Sequence, residues 1–168
     1  MPEIADDEVL TVGDADLGAL ADLLAKYELR LVVEQDDASI TGSYWGEPEA
    51  GVVGKTVYVR RDTPIHSLLH ESCHVVCMTG TRRDSLVRDA GGDDLEESGV
   101  CYLQVVLADC LPCCGRTRLM RDMDAWGYSF RLGSTADWFR NDAEDAKEFL
   151  INHGLLTPEG APVFRLRA

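Results

Sequence analysis

Residues 70–74 read His70-Glu71-Ser72-Cys73-His74, an H-E-x-x-H pattern inside the apolar run 68–76. No other stretch restricts the chain as tightly. On a helix, positions i and i+4 lie one above the other on the same face, so both imidazoles can reach one metal ion. Neutral imidazole suits Zn²⁺, and a carboxylate on the same helix can serve as general base toward a metal-activated water. The pattern fixes only three positions, so its context must support it. Thr63-Pro64 supplies a helix start, with Thr as N-cap and Pro at the first helical position. From there Ile65, Leu68, Leu69, Ser72, Val75 and Val76 fall on one face. His66, His70 and His74 fall nearly opposite, with Glu71 between the two faces. The plain alternative is a surface helix with two solvated histidines. His66 also stands four residues from His70 and forms a rival pair, but only His70 and His74 enclose the glutamate. His66 and His74 are separated by about 12 Å of axial rise, too far to share an ion easily. His66 is therefore read as a helix-start residue beside the site.

The 168 residues suit one domain, 1–168, with a sizeable core. A formal net charge of −14 argues against a nucleic-acid partner and favours divalent cations. The acidic start, residues 1–8, has no apolar targeting core, and no apolar run is long enough to span a membrane. The expectation is a cytoplasmic protein with no membrane partner and six reduced cysteines.

Residues 1–13 read as a loose lead-in with a short apolar strand or turn at 9–12. Asp14 or Asp16 caps a helix that buries Leu17, Leu20, Leu23 and Leu24 and runs to about Tyr27. Residues 29–33 are β-like, and 40–45 read as a strand. Residues 52–53 and 55–60 read as one strand or a bulged pair, with Gly54 at the bulge. Such a sheet would pack against the His70 helix, and its edge could hold an extended peptide by strand addition. The helix ends after Met78, and a loop covers 84–94. A second helix runs from about 95 to 111, closed by Pro112. A third spans 115–126. Residues 127–133 read as a strand or extended loop. Ser134 caps a last helix, 136–152, stopped by Gly154. Residues 163–166 read as a short strand in the tail.

A catalytic zinc site needs three protein ligands and an open position. The extension H-E-x-x-H-x-x-G-x-x-H is absent, because Cys77 and Gly80 stand where its glycine and histidine belong. Cys77 is three residues past His74 and can ligate. Residues 94–100 place Glu96 and Glu97 at the start of the second helix. Helix geometry alone does not choose between them. Small Ser98 and Gly99 after Glu97 permit close helix approach, so Glu97 is ranked ahead of Glu96, and Glu96 ahead of Cys77. A solvated acidic first turn is the plain alternative.

Strand, H-E-x-x-H helix, loop, then a helix opening with Glu97 and a small residue and running apolar to a proline resembles the gluzincin-type zinc metallopeptidases. In particular it resembles the compact bacterial ImmA/IrrE-type peptidases. The resemblance covers roughly residues 40–112. It implies an α+β, minimal zincin-like fold: a small twisted sheet against the H-E-x-x-H helix, a second ligand-bearing helix, and extra helices C-terminal. It implies Zn²⁺ held by His70, His74 and Glu97, Glu71 as general base, and a peptide or protein substrate. Gln104 interrupts the apolar pattern of the second helix, and residues from 115 onward match nothing in the family. Tyr128, Tyr44 and His66 are possible oxyanion donors by type. Asp93 and Asp94 are candidates to orient an imidazole from behind, with solvated loop acids as the plainer reading.

The cysteines leave a second reading open. Cys110, Cys113 and Cys114 contain a C-x-x-C, but it closes a helix, so redox chemistry is not expected. His70, His74, Cys77 and Cys101 could instead form a closed zinc site in a non-catalytic peptide- or protein-binding module. A peptide-binding pseudo-peptidase would carry the same residues.

Overall fold

In the computed structural model, which describes residues 8–168, a short 3-10 turn (Val12–Asp14) leads into α1 (Leu17–Ala25), β1 (Arg30–Val33), β2 (Gly51–Val53) and β3 (Thr56–Val59). There follow α2 (Ile65–Cys77), α3 (Gly80–Asp84), α4 (Asp94–Ala108), α5 (Gly115–Trp126), α6 (Thr135–Asn141) and α7 (Glu144–Asn152). The fold is α+β. Its sheet has the order β1-β3-β2, with β1 parallel and β2 antiparallel to β3. Along β3, Val57 and Val59 are fully buried while Thr56 and Tyr58 are only partly so, the two-residue alternation of a strand with one covered face. No helix among the described residues is long and apolar enough to cross a membrane.

The covered face of the sheet packs on α2, and α4 and α5 pack on α2 from other sides. Every residue of α2 except His70 is buried, so α2 is a central helix and not an amphipathic surface one. Pro64 takes the N-cap position, while Thr63 Oγ1 accepts from the Arg60 amide instead of capping. At the other end Arg83, itself buried, donates to the carbonyls of Val75 (2.8 Å), Met78 (2.8 Å) and Arg167 (3.0 Å). A cation there satisfies carbonyls that a helix leaves without partners.

Several local readings need correction. The lead-in, as far as it lies within the described residues, is not loose. Leu10 and Val12 are buried, the Leu10 amide donates to Asp122 at 2.9 Å, and Val12 and Ile65 bond across to the opposite segment. Asp16 caps α1, whereas Asp14 closes the turn before it. Gly54 is not a bulge: at φ +57 it forms the tight turn of the β2–β3 hairpin. Residues 40–45 are turns, with one bridge from Ser43 to Gly51. The outer edge of β2 is also taken. Val52 bonds to Gly42 and Arg88, and the Gly54 amide to Leu86, so no free Val52 group remains for strand addition. Of the two readings of residues 127–133 the loop holds, residues 163–166 carry no strand, and the second helix stops at Ala108 before turns that reach Leu111.

The expected helix over 136–152 is two helices. Asp142 leaves helical backbone at φ −139, and its carboxylate is taken by Arg131. The break lets Trp138 and Phe149 both bury, and α7 runs back against α4. The α4–α7 approach rests on Gly99, where a Cβ would meet Phe149 Cδ1 at 2.7 Å. We expect Gly99→Val to destabilise the fold by about 1–3 kcal/mol through overpacking, read as a lowered urea midpoint at unchanged m-value.

Candidate metal centre

Packing of α2 on α4 brings three potential ligands to one point. His70 Nε2 and His74 Nε2 lie 3.2 Å apart. Glu97 Oε1 is 3.1 Å from His70 Nε2, and Glu97 Oε2 is 2.9 Å from His74 Nε2. Ligands bound at 2.0–2.1 Å around a tetrahedral centre lie about 3.3 Å from one another, so this triangle has the size a small cation requires. His70, His74 and Glu97 are thus a group that can bind a metal ion. A larger open hollow of about 850 Å³ near Arg131 and Asp142 brings together no such set among the described residues.

Each ligand is positioned by a separate device. The histidines follow from the pitch of α2. Glu97 is in the first turn of α4, whose N-cap Asp93 accepts from the Glu96 amide at 2.8 Å. Asp93 is therefore a helix cap, and Asp94 faces solvent; neither orients an imidazole. That role belongs to Gln104, fully buried, whose Oε1 is 3.0 Å from His70 Nδ1. Its Nε2 donates to the His66 carbonyl at 2.9 Å. The amide is thereby fixed with its oxygen toward His70, so Nδ1 donates to Gln104 and Nε2 is the ring atom presented to the centre. In the sequence Gln104 stands as an interruption of an apolar pattern. Its position two turns after Glu97, on the same face of α4, was the available signal.

The competing ligands are accounted for otherwise. Glu96 is 4% exposed and points away from the histidines. It receives a two-pronged contact from Arg82 (2.7 and 2.9 Å) and a third from Arg167 (3.2 Å). Arg82 also donates to the Ala90 carbonyl at 2.7 Å, so Glu96 braces the loop beside the site and the C-terminal tail. Cys77 is fully buried, burial raises its thiol pKa, and it is not part of the ligand group, nor is Cys101. All six cysteines are free. His66 is buried between Trp126 and Tyr128. Burial and the nearby His70 push its pKa down to about 3. Its Nδ1 is 3.2 Å from Tyr128 Oη. Tyr44 lies on the cleft wall, and Tyr128 packs edge-on against the His66 and His70 rings as a buttress.

The centre lies at the junction of two lobes of an open cleft. One, about 270 Å³, is walled by Tyr44, Trp45 and residues 88–92. The other, about 380 Å³, is walled by Trp45, Glu49, Trp126 and Tyr128. Glu71 lines both, although only 7% of its surface is exposed. Burial raises its pKa against the opposing pull of His70 and His74. At Glu97 burial also acts upward, but the hydrogen bonds and charges of the two histidines hold the carboxyl well below the usual range. At His70 burial acts downward. Tyr128, Cys101 and Glu97 outweigh it and carry the imidazole well above its ordinary 6.5.

No protein-family model, curated protein or solved structure matches this chain. The geometry of the site therefore stands by itself.

Two outcomes are expected. Gln104→Leu removes the acceptor that holds His70 and leaves a buried N–H without a partner. It should weaken Zn²⁺ or Co²⁺ binding about 10- to 100-fold in a chelator competition. In the wild type, a cation must displace the proton that His70 holds above pH 6.5. Apparent affinity should rise with pH through neutrality, by about tenfold per unit for one displaced proton, and fall on acidification.

Proposed function

We propose that this chain is a zinc-dependent peptidase of the minimal gluzincin type. One observation carries the reading: His70, His74 and Glu97 converge at an open cleft with Glu71 buried beside them. Two imidazole nitrogens and one carboxylate, with one side open to solvent, are the donor set of catalytic rather than structural zinc. Such an ion, when bound, supplies Lewis acidity toward water and a substrate carbonyl.

The remaining steps belong to the chain. Glu71 lines both lobes beside the ligand group, so its carboxylate faces the region in which a scissile carbonyl must lie. As general base it takes a proton from the attacking water and returns it to the leaving amine. A buried, cleft-facing carboxylate suits both transfers because its proton affinity is raised by desolvation. Gln104 keeps the His70 imidazole in fixed orientation from behind, so that ligand does not have to reorganise as charge develops. The two lobes extend from the centre in different directions, which suits a chain-like substrate passing across it.

Elemental analysis should find about one zinc per wild-type chain. It should be lost in Glu97→Ala and retained in Glu96→Ala and Cys77→Ser. Glu71→Gln should retain the metal while hydrolysis of a peptide substrate falls about 10²- to 10⁴-fold. Wild type that takes up no transition metal on reconstitution would overturn the reading, as would full activity in Glu71→Gln.

A further inference from the structure

We propose that the 380 Å³ lobe is a subsite for a cationic side chain, lysine or arginine, of the bound peptide; this rests on the peptidase reading and names its substrate class. The lobe holds a carboxylate that the metal centre does not use, Glu49. Among the described residues no lysine or arginine lines the cavity. Both oxygens of Glu49 are held by groups that donate. Trp126 Nε1 donates to Oε1 at 2.8 Å, and indole nitrogen is a donor only. Ser67 Oγ already accepts from the Ala50 amide at 3.0 Å, so its own proton goes to Glu49 Oε2. These contacts fix Glu49 as an acceptor with lone pairs remaining on each oxygen. They do not neutralise its charge.

The aromatic walls point to the same ligand. Trp126 is 43% exposed and Trp45 is 72% exposed, so both rings are open to a ligand. Trp126 is locked by its bond to Glu49 and backed by the His66 ring at 5.2 Å between centroids. A fixed carboxylate beside indole surface recognises an alkyl stem ending in a cation: the stem packs on the ring, and the ammonium or guanidinium meets both π-face and carboxylate. A neutral apolar side chain would leave the charge of Glu49 desolvated, and an acidic one would be repelled.

The test is calorimetric binding to the zinc-loaded Glu71→Gln chain, which separates recognition from cleavage. The probes are blocked alanine hexapeptides in which lysine, arginine, norleucine or glutamate occupies each position in turn. Lysine and arginine should bind about tenfold tighter than norleucine at one position, and glutamate weakest. Adding Glu49→Gln should abolish that preference while norleucine binding holds. Trp126→Leu, at the exposed end of α5, gives a second reading should Glu49→Gln melt early; it should also reduce the preference. Equal binding of lysine and norleucine, a preference that survives Glu49→Gln, or no binding of any probe overturns the subsite. Wild-type hydrolysis of the same peptides is scored separately. Cleavage without basic preference overturns the subsite and leaves the peptidase. Selective binding of the basic peptides without cleavage leaves the subsite and overturns the peptidase.

Discussion

Helix α2 is buried on nearly every side and yet carries His66, Ser67, His70, Glu71, Ser72 and His74. A polar group taken from water without a partner costs on the order of 1–3 kcal/mol, so the surrounding structure must supply partners. It does so for most of them, although His66 Nε2 and His74 Nδ1 are buried without a partner. Ser72 bonds back to the Leu68 carbonyl within the helix. Ser67 is met by Glu49, which enters from the loop before β2. His66 is met by Tyr128, delivered by the turn after α5. His70 and His74 are met by Gln104 and Glu97, both on α4. The demand for partners along one helix thus fixes the placement of the elements that form the cleft. Glu71 lies where the cleft opens, so its polar end faces the two lobes.

Glu96 and Glu97 show how one turn of helix divides two tasks. Successive residues on a helix differ by about 100° in direction, so both cannot face α2. Glu97 meets the histidines and stays half exposed, as a ligand at an open site must. Glu96 turns to Arg82 and Arg167 and becomes buried. A buried carboxylate is tolerated only with such pairing. Its bonds run to the loop that walls one lobe and to the tail, and Arg83 ties the same tail to the end of α2. The cleft wall, the tail and the helix bearing the histidines are therefore held by two adjacent arginines of α3.

What the sequence disclosed follows from range. The pairing of His70 with His74 is a matter of helical pitch, and it was legible. So were the α5 span, the cap at Ser134 and the stop at Gly154, each set by a few neighbouring residues. The ranking of Glu97 over Glu96 had a weaker footing, since it depends on the rotation of α4 about its axis. That rotation is set by Gly99 against Phe149 and by Gln104 against His66, contacts that no local pattern reveals. Gln104 looked like a flaw because an apolar helix has no local use for an amide. Residues 40–45 misled for the opposite reason: Tyr44 and Trp45 have strand-like chemistry, but they stay exposed beside the cleft. The division of the last helix depended on Arg131, a loop residue reaching Asp142.

Electrostatics links the centre to the lobe beside it. Glu49, Glu71 and Glu97 all line one cavity of about 380 Å³. At Glu71 burial raises the proton affinity, and the nearby Glu49 and Glu97 act in the same direction. A divalent cation held by His70, His74 and Glu97 offsets two of the three. One unit of negative charge remains, and in the proposed mechanism it cannot be assigned to Glu71 throughout, because Glu71 would carry a proton during part of the cycle. Glu49 takes no part in the proposed proton transfers, and its hydrogen-bond partners only donate. A cationic substrate side chain offsets that charge, whereas a neutral one leaves it in a partly desolvated cavity. On the proposed reading the metal and the basic side chain would complete one electrostatic balance, and the same carboxylates that favour the first favour the second.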